Sequence, residues 1–147
     1  MTERVHATSV ALRQGRSWRA VLLRGPSGAG KSDLALRLIE AGARLIADDQ
    51  TELIRQGKAV IASAPARIAG LIEARGLGIV RLGRDQLVKR AAVTLLVDLA
   101  QPQRITRLPE PASETILGID LPVLALAPFE ASACAKLHLA LTQIANA

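Results

Sequence analysis

Residues 25–32 read Gly-Pro-Ser-Gly-Ala-Gly-Lys-Ser and fill the pattern GxxxxGK[ST]. Residue types in this order can hold a phosphate. The glycines let the backbone curl until several N–H groups face one anion, a lysine reaches the outer phosphates, and a serine hydroxyl is offered to Mg2+. Gly25, Pro26, Ser27, Gly28, Ala29, Gly30, Lys31 and Ser32 are therefore expected to bind the phosphates of ATP or GTP. Such a loop names no reaction, because a transfer also needs a carboxylate near the metal or the acceptor. Two apolar runs end in acid. Leu-Ile-Ala-Asp48-Asp49 lies seventeen residues after Lys31 and carries two acids in a row, and Leu-Leu-Val-Asp98 has the look of a Walker B strand. Neighbouring acids at a strand end point in different directions. One can take a proton while the other supports it.

These residues need elements to place them. The short apolar run Ala20 to Arg24 predicts a buried strand that feeds the glycine loop. Lys31 to Ala41 predicts a helix, with Leu34, Leu38 and Ile39 on one face and Gly42 at its end. Arg44 to Ala47 predicts the strand that delivers Asp48 and Asp49. Val5 to Leu12 reads as an earlier strand, followed by a turn at residues 14–16. Glu52 to Arg55 and Ala59 to Ala62 read as a hairpin around Gln56-Gly57. Leu71 to Arg75 is expected as a strand running into Gly-Leu-Gly, and Gly83 to Arg90 as a helix. Ala92 to Leu99 is a strongly apolar strand, followed by a proline-containing loop. Thr115 to Ile119 and Val123 to Leu126 are expected as strands, and Glu130 to Ala145 as a closing helix. Early alternation of strand and helix followed by hairpins predicts one α/β domain, residues 1–147, with a mixed central sheet flanked by helices.

The totals narrow the class. A chain of 147 residues can bury a core. Half of it is apolar with only Trp18 and Phe129 aromatic, so Leu, Ile, Val and Ala must build that core. One cysteine, Cys134, excludes an internal disulfide and reads as core filler. No stretch reaches membrane-spanning length, and the start, MTERVHATS, lacks the apolar centre of a signal peptide, so the chain reads as cytoplasmic. The net charge of +6 comes mainly from arginine. Those arginines are scattered and stacking aromatics are nearly absent, which speaks against nucleic acid and suits an acidic or phosphorylated partner.

Taken together, LLRGPSGAGKSDLALRL (22–38), ARLIADD (43–49) and LIEARGLGIV (71–80) resemble the catalytic domain of bacterial HPr kinase/phosphorylase. The likeness is strongest to a short form without the N-terminal domain. The third stretch looks like a signature of that family rather than of P-loops at large. His6 before the first strand, TRLPE at 106–110 and ETILGIDLP at 114–122 are weaker matches.

The resemblance implies an HPr kinase/PEP carboxykinase-like fold. It also implies an enzyme that uses ATP and Mg2+ to phosphorylate a serine of HPr, the phosphocarrier of the sugar phosphotransferase system, and that removes the phosphate by phosphorolysis. Carried over residue by residue, Ser32 and Glu73 would hold Mg2+. Asp48 would take the acceptor's proton and Asp49 would support it. Lys31 and the loop from Gly25 to Ser32 would bind ATP, with Lys31 among the catalytic residues, and His6 and Arg107 would lie around the transferring phosphate. Asp98 would be a structural strand end. A homo-oligomer is implied, without membrane or nucleic-acid partners. One departure stands out: VLALAPFEASACAK (123–136) has neither the arginine nor the glycine of the family's loop before the last helix, which is tied to the phosphorylase direction.

Two other function classes compete. A small-molecule P-loop kinase would use Asp98 as its Walker B acid and Arg104 and Arg107 as a lid, but it has no use for LIEARGLGIV. A nucleotide-loaded sensor would bind partners without turnover, and it has no need of Asp48, Asp49 and Glu73 together.

Overall fold

The computed structural model describes residues 2–145, so residue 1 and residues 146–147 of the expected 1–147 domain lie outside the described part. Eleven strands and two α-helices are described. β1 is Thr2–Val5, β2 Ala7–Gln14, β3 Ser17–Arg24, α1 Lys31–Glu40, β4 Arg44–Ala47, β5 Thr51–Gln56 and β6 Ala59–Ser63. They are followed by β7 Leu71–Ala74, β8 Gly78–Arg81, β9 Arg90–Leu99, β10 Ala112–Ile116, β11 Ile119–Leu126 and α2 Ala133–Ala145.

Nine of these strands form one mixed sheet, with the path β1-β5-β6-β9-β3-β2-β4 and β11 joining β9. β2 runs antiparallel to both β3 and β4, while β9 runs parallel to β3 and β11 parallel to β9. The carboxyl ends of β3, β4, β9 and β11 therefore meet the amino end of β2 at one edge. That edge is where α/β sheets place their ligands. The sheet must also curl. β1 and β2 are separated by His6 alone, yet they sit far apart in the strand order, and β1 pairs with β5. A hydrogen bond of 2.9 Å between the buried hydroxyls of Ser9 on β2 and Thr51 on β5 joins the two parts across the curl.

Alternation along the central strands sorts two cores. Val21, Leu23, Leu95 and Val97 face one side, with Leu34 and Leu38 of α1 and Leu137 and Leu141 of α2. Ala20, Leu22 and Leu96 face the other, with Leu53 of β5, Val60 of β6 and Leu121 of β11. Both helices thus share one face, and strands of the curled sheet cover the other. Cys134 packs partly buried against the helical core, the filler role expected of it. Among the described residues no helix is long and apolar enough to cross a membrane.

Three expectations change. Residues 83–90 do not form a helix. A single 3-10 turn at Arg84–Gln86 leads into extended chain, where Leu87 bridges Leu45 and the Val88 N–H donates to the Leu45 carbonyl at 3.0 Å. The edge of β4 takes up backbone groups that a helix would have used itself. The expected strand at 115–119 is a hairpin instead: β10 ends at Ile116, and Leu117 (φ 51°) and Gly118 (φ 81°) make a two-residue turn. Positive φ at both central residues matches the twist of paired strands, but Leu-Gly is not the pair that normally announces it. The strand expected at Val5–Leu12 bends at His6 and contributes to two places in the sheet.

Candidate active site

The glycine loop begins where β3 ends. Gly28 (φ 85°) and Gly30 (φ 102°) occupy conformations that side chains resist. Gly25 is needed for closeness: a Cβ there would lie 2.9 Å from the Cβ of Ala29. The loop closes with the Ala29 N–H on the Pro26 carbonyl at 3.0 Å, and α1 starts at Lys31. Lys31 is 6% exposed, and its ammonium donates to the carbonyls of Gly25 (2.7 Å) and Pro26 (3.2 Å). A tight backbone ring with a lysine folded over it and a helix N-terminus behind it has the shape and charge for an anion. In this respect the chain's residues fit a nucleotide's phosphates.

Asp48 leaves β4 pointing inward and is 8% exposed. Its Oδ1 accepts from the hydroxyls of Ser32 (2.6 Å) and Thr8 (3.0 Å), and its Oδ2 accepts from the backbone N–H of Glu73 (2.9 Å). One carboxylate thus joins the phosphate loop, β2 and β7. Asp49 points outward, where its Oδ1 lies 2.7 Å from His6 Nε2. Its φ of 67° and the 2.7 Å bond from the Gln50 N–H to the Asp48 carbonyl mark a γ-turn, a conformation that is rare and stores strain. Thr8 also accepts the Asp49 N–H at 3.0 Å. A single buried hydroxyl therefore fixes both acids. Their divergence is that expected of neighbours at a strand end.

The other candidates are spread more widely. Glu73 reaches the site through its backbone, and its side chain is exposed on the β7–β8 hairpin, whose turn carries Gly76. Arg107 lies exposed in the loop between β9 and β10, and among the described residues no hydrogen bond ties it to Asp48, Asp49 or His6. Asp98, the other strand-end acid, is held by the fork of Arg24 on the adjacent strand: Nε to Oδ1 at 2.7 Å and Nη2 to Oδ2 at 3.1 Å. The same guanidinium binds Glu114 at 2.8 and 3.0 Å. The hydrogen bond to Glu114 is the chief cause of raising the Arg24 pKa further, and the hydrogen bond from Arg24 holds the Glu114 carboxyl below its ordinary value. Both Asp98 oxygens are thus engaged by Arg24.

Sequence reasoning missed Thr8, because an isolated threonine in an apolar strand carries no pattern; only the pairing of β2 with β4 brings it to Asp48. The described residues contain no group of three or more His, Cys, Asp or Glu side chains clustered as for a metal. Ser32 with a carboxylate or two and phosphate oxygens is, however, the sparse donor set that Mg2+ uses with nucleotides.

The family model for the HPr Serine kinase C-terminal domain matches residues 4–137. This chain belongs to that family. It is 40% identical over 84 residues to the HPr kinase/phosphorylase of Geobacillus thermodenitrificans, which covers 54% of this chain and 27% of that protein. It is 35% identical over 111 residues to the HPr kinase/phosphorylase of Latilactobacillus sakei, covering 70% of this chain and 35% of that protein. The matches thus span about a third or less of these relatives' length. Among solved structures, the HPr(Ser) kinase/phosphatase from Coxiella burnetii superposes with a TM-score of 0.78 at 27% identity, covering 98% of this chain and 88% of the other. The expected mixed-sheet fold and the family resemblance both stand.

Proposed function

We propose that this chain is the catalytic domain of an ATP-dependent protein kinase that phosphorylates a serine of an HPr-type phosphocarrier. One observation carries the reading: Asp48 is hydrogen-bonded to Ser32 of the phosphate loop at 2.6 Å, with Asp49 beside it on the surface. The acid read as the base is thereby one hydrogen bond from the serine of the loop read as the phosphate site, and its neighbour Asp49 faces outward to His6. The family membership supplies the substrate class, since relatives are named for HPr. Phosphoryl transfer needs alignment and charge neutralisation more than covalent help.

In this reading the loop from Gly25 to Ser32 holds ATP, and Lys31 exchanges its loop carbonyls for oxygens of the outer phosphates. Mg2+, held by Ser32 and Glu73, would neutralise phosphate charge. Asp48 accepts the proton of the acceptor serine. Asp49, oriented by His6 and by Thr8, supports Asp48 and lines the approach. Arg107 meets the transferring phosphate from its exposed loop. In phosphorolysis inorganic phosphate would take the place of the nucleotide's outer phosphates. Its oxygen forms the new bond to the seryl phosphorus, the bond from phosphorus to the serine oxygen breaks, pyrophosphate leaves, and Asp48 returns the proton to that oxygen. A single domain working in a cytoplasmic homo-oligomer completes the proposal.

The test incubates the protein with Mg2+, γ-labelled ATP and the host's HPr-type phosphocarrier, and maps the label by mass spectrometry. Label on one serine is expected, falling by about a hundredfold or more in Asp48→Asn if Asp48 is the base. Nucleotide binding without transfer to any phosphocarrier would sink the kinase reading.

A further inference from the structure

A cavity of about 590 Å³ opens beside the phosphate loop, on the side away from Asp48 and Asp49. One wall is the loop itself, Pro26 to Ala29, and the others are the chain leaving β9 (Leu99 to Pro102) and the chain leaving β11 (Ala127 to Glu130). The strand order explains this placement. Along the binding edge the acid pair belongs to β4, the phosphate loop to β3, and the cavity to β9 and β11 on the far side. A chain of phosphates lying across the loop with its outer end at Asp48 has its inner end at the cavity.

The cavity also holds one of the two aromatic residues of the whole chain. Phe129 is 70% exposed, with most of its ring open to the cavity that it lines. Its edge lies against Gly30: a Cβ there would sit 2.8 Å from the Phe129 Cζ. The preceding residue is fastened to the same helix, since Arg37 of α1 donates to the Pro128 carbonyl and also pairs with Asp33 at 3.1 Å. The ring is therefore presented at the mouth of the phosphate loop by a braced segment. Arg104 adds a planar cation to the lining. A volume of this size falls within the roughly 300–1,000 Å³ of small-molecule sites.

We infer that this cavity seats the purine base of the bound nucleotide, with Phe129 stacking on it. The inference rests on the reading of residues 25–32 as a nucleotide phosphate site. It also gives a role to the segment in which the family's arginine and glycine are replaced: that segment has become a wall for the nucleotide.

The experiment compares Mg2+-dependent binding of ATP and of inorganic tripolyphosphate by calorimetry, in the wild type, Phe129→Ala, Phe129→Leu and Phe129→Trp. Tripolyphosphate occupies the loop but has no base. Stacking of a base on an aromatic ring accounts for about fivefold or more in affinity. Phe129→Ala is therefore expected to weaken ATP by that factor and to leave tripolyphosphate within about twofold. Phe129→Leu, which still packs on Gly30, should behave like the alanine variant, and Phe129→Trp should restore ATP. Unchanged ATP affinity in Phe129→Ala overturns the inference, as does an equal loss for both ligands, which would mean that the ring acts only by bracing Gly30. A wild-type protein that binds neither ligand overturns the phosphate-loop reading itself, and this inference with it.

Discussion

Thr8→Val isolates the hydroxyl that fixes both acids. Thr8 is fully buried, donates to Asp48 Oδ1 at 3.0 Å and accepts the Asp49 N–H at 3.0 Å. Valine keeps the shape and removes both bonds. A hydrogen bond to a charged group contributes about 1.5–3 kcal/mol, and a donor left without an acceptor costs about 1–3 kcal/mol. The added methyl offsets about 0.8 kcal/mol. Both bonds share one oxygen and are not independent, and the Asp49 N–H is only partly buried, so a net loss of about 2–4 kcal/mol is expected. With a urea dependence near 2 kcal/mol/M, the unfolding midpoint should fall by about 1–2 M. Thr8→Ser is the control. It keeps the hydroxyl, loses one methyl, and should cost only about 1 kcal/mol. If valine proves as stable as serine at this position, the hydroxyl does not organise the site and the reasoning fails.

Two further predictions concern the glycine loop and the Arg24 cluster. Gly30→Ala forces a side chain into φ 102° and against Phe129, so it should destabilise by about 1–3 kcal/mol; in the double variant with Phe129→Ala, chemical denaturation should show a coupling of at least about 0.5 kcal/mol, and simple additivity would contradict the contact. Glu114 has a folded pKa below its unfolded value, so its pairing with Arg24 stabilises above the unfolded value near 4.3, and that contribution is lost as pH falls through the folded value. Because both partners are partly exposed, Glu114→Gln should cost under about 1 kcal/mol at neutral pH and nothing in strong acid; a difference that grows on acidification would refute the assignment.

The phosphate loop was legible in the chain because all its parts are local. A strand, three glycines, a lysine and a helix start lie within about a dozen residues, and backbone conformation and helix dipole act over that range. Asp48 and Asp49 were legible as the end of a short apolar run. Their divergence was expected of neighbours at a strand end, but the γ-turn that produces it starts past β4 and is pinned by Thr8, which no local signal announces. Local signals failed where another strand claimed the backbone. The helix expected at 83–90 lost its hydrogen bonds to the edge of β4, and the run at 115–119 became a turn because β10 and β11 pair.

Tertiary structure alone decided which side chains meet. Thr8 is forty residues from Asp48 and Phe129 is ninety-nine from Gly30, and nothing in either segment announces the other. Asp98 looked as suitable an acid as Asp48 until Arg24, its neighbour across a parallel pair of strands, took both its oxygens. Local sequence sets the conformations a segment can adopt over a few residues. The register between distant strands is set by how two apolar faces of a curled sheet can be buried at once, and that register brought the acids, the hydroxyl and the loop to one edge.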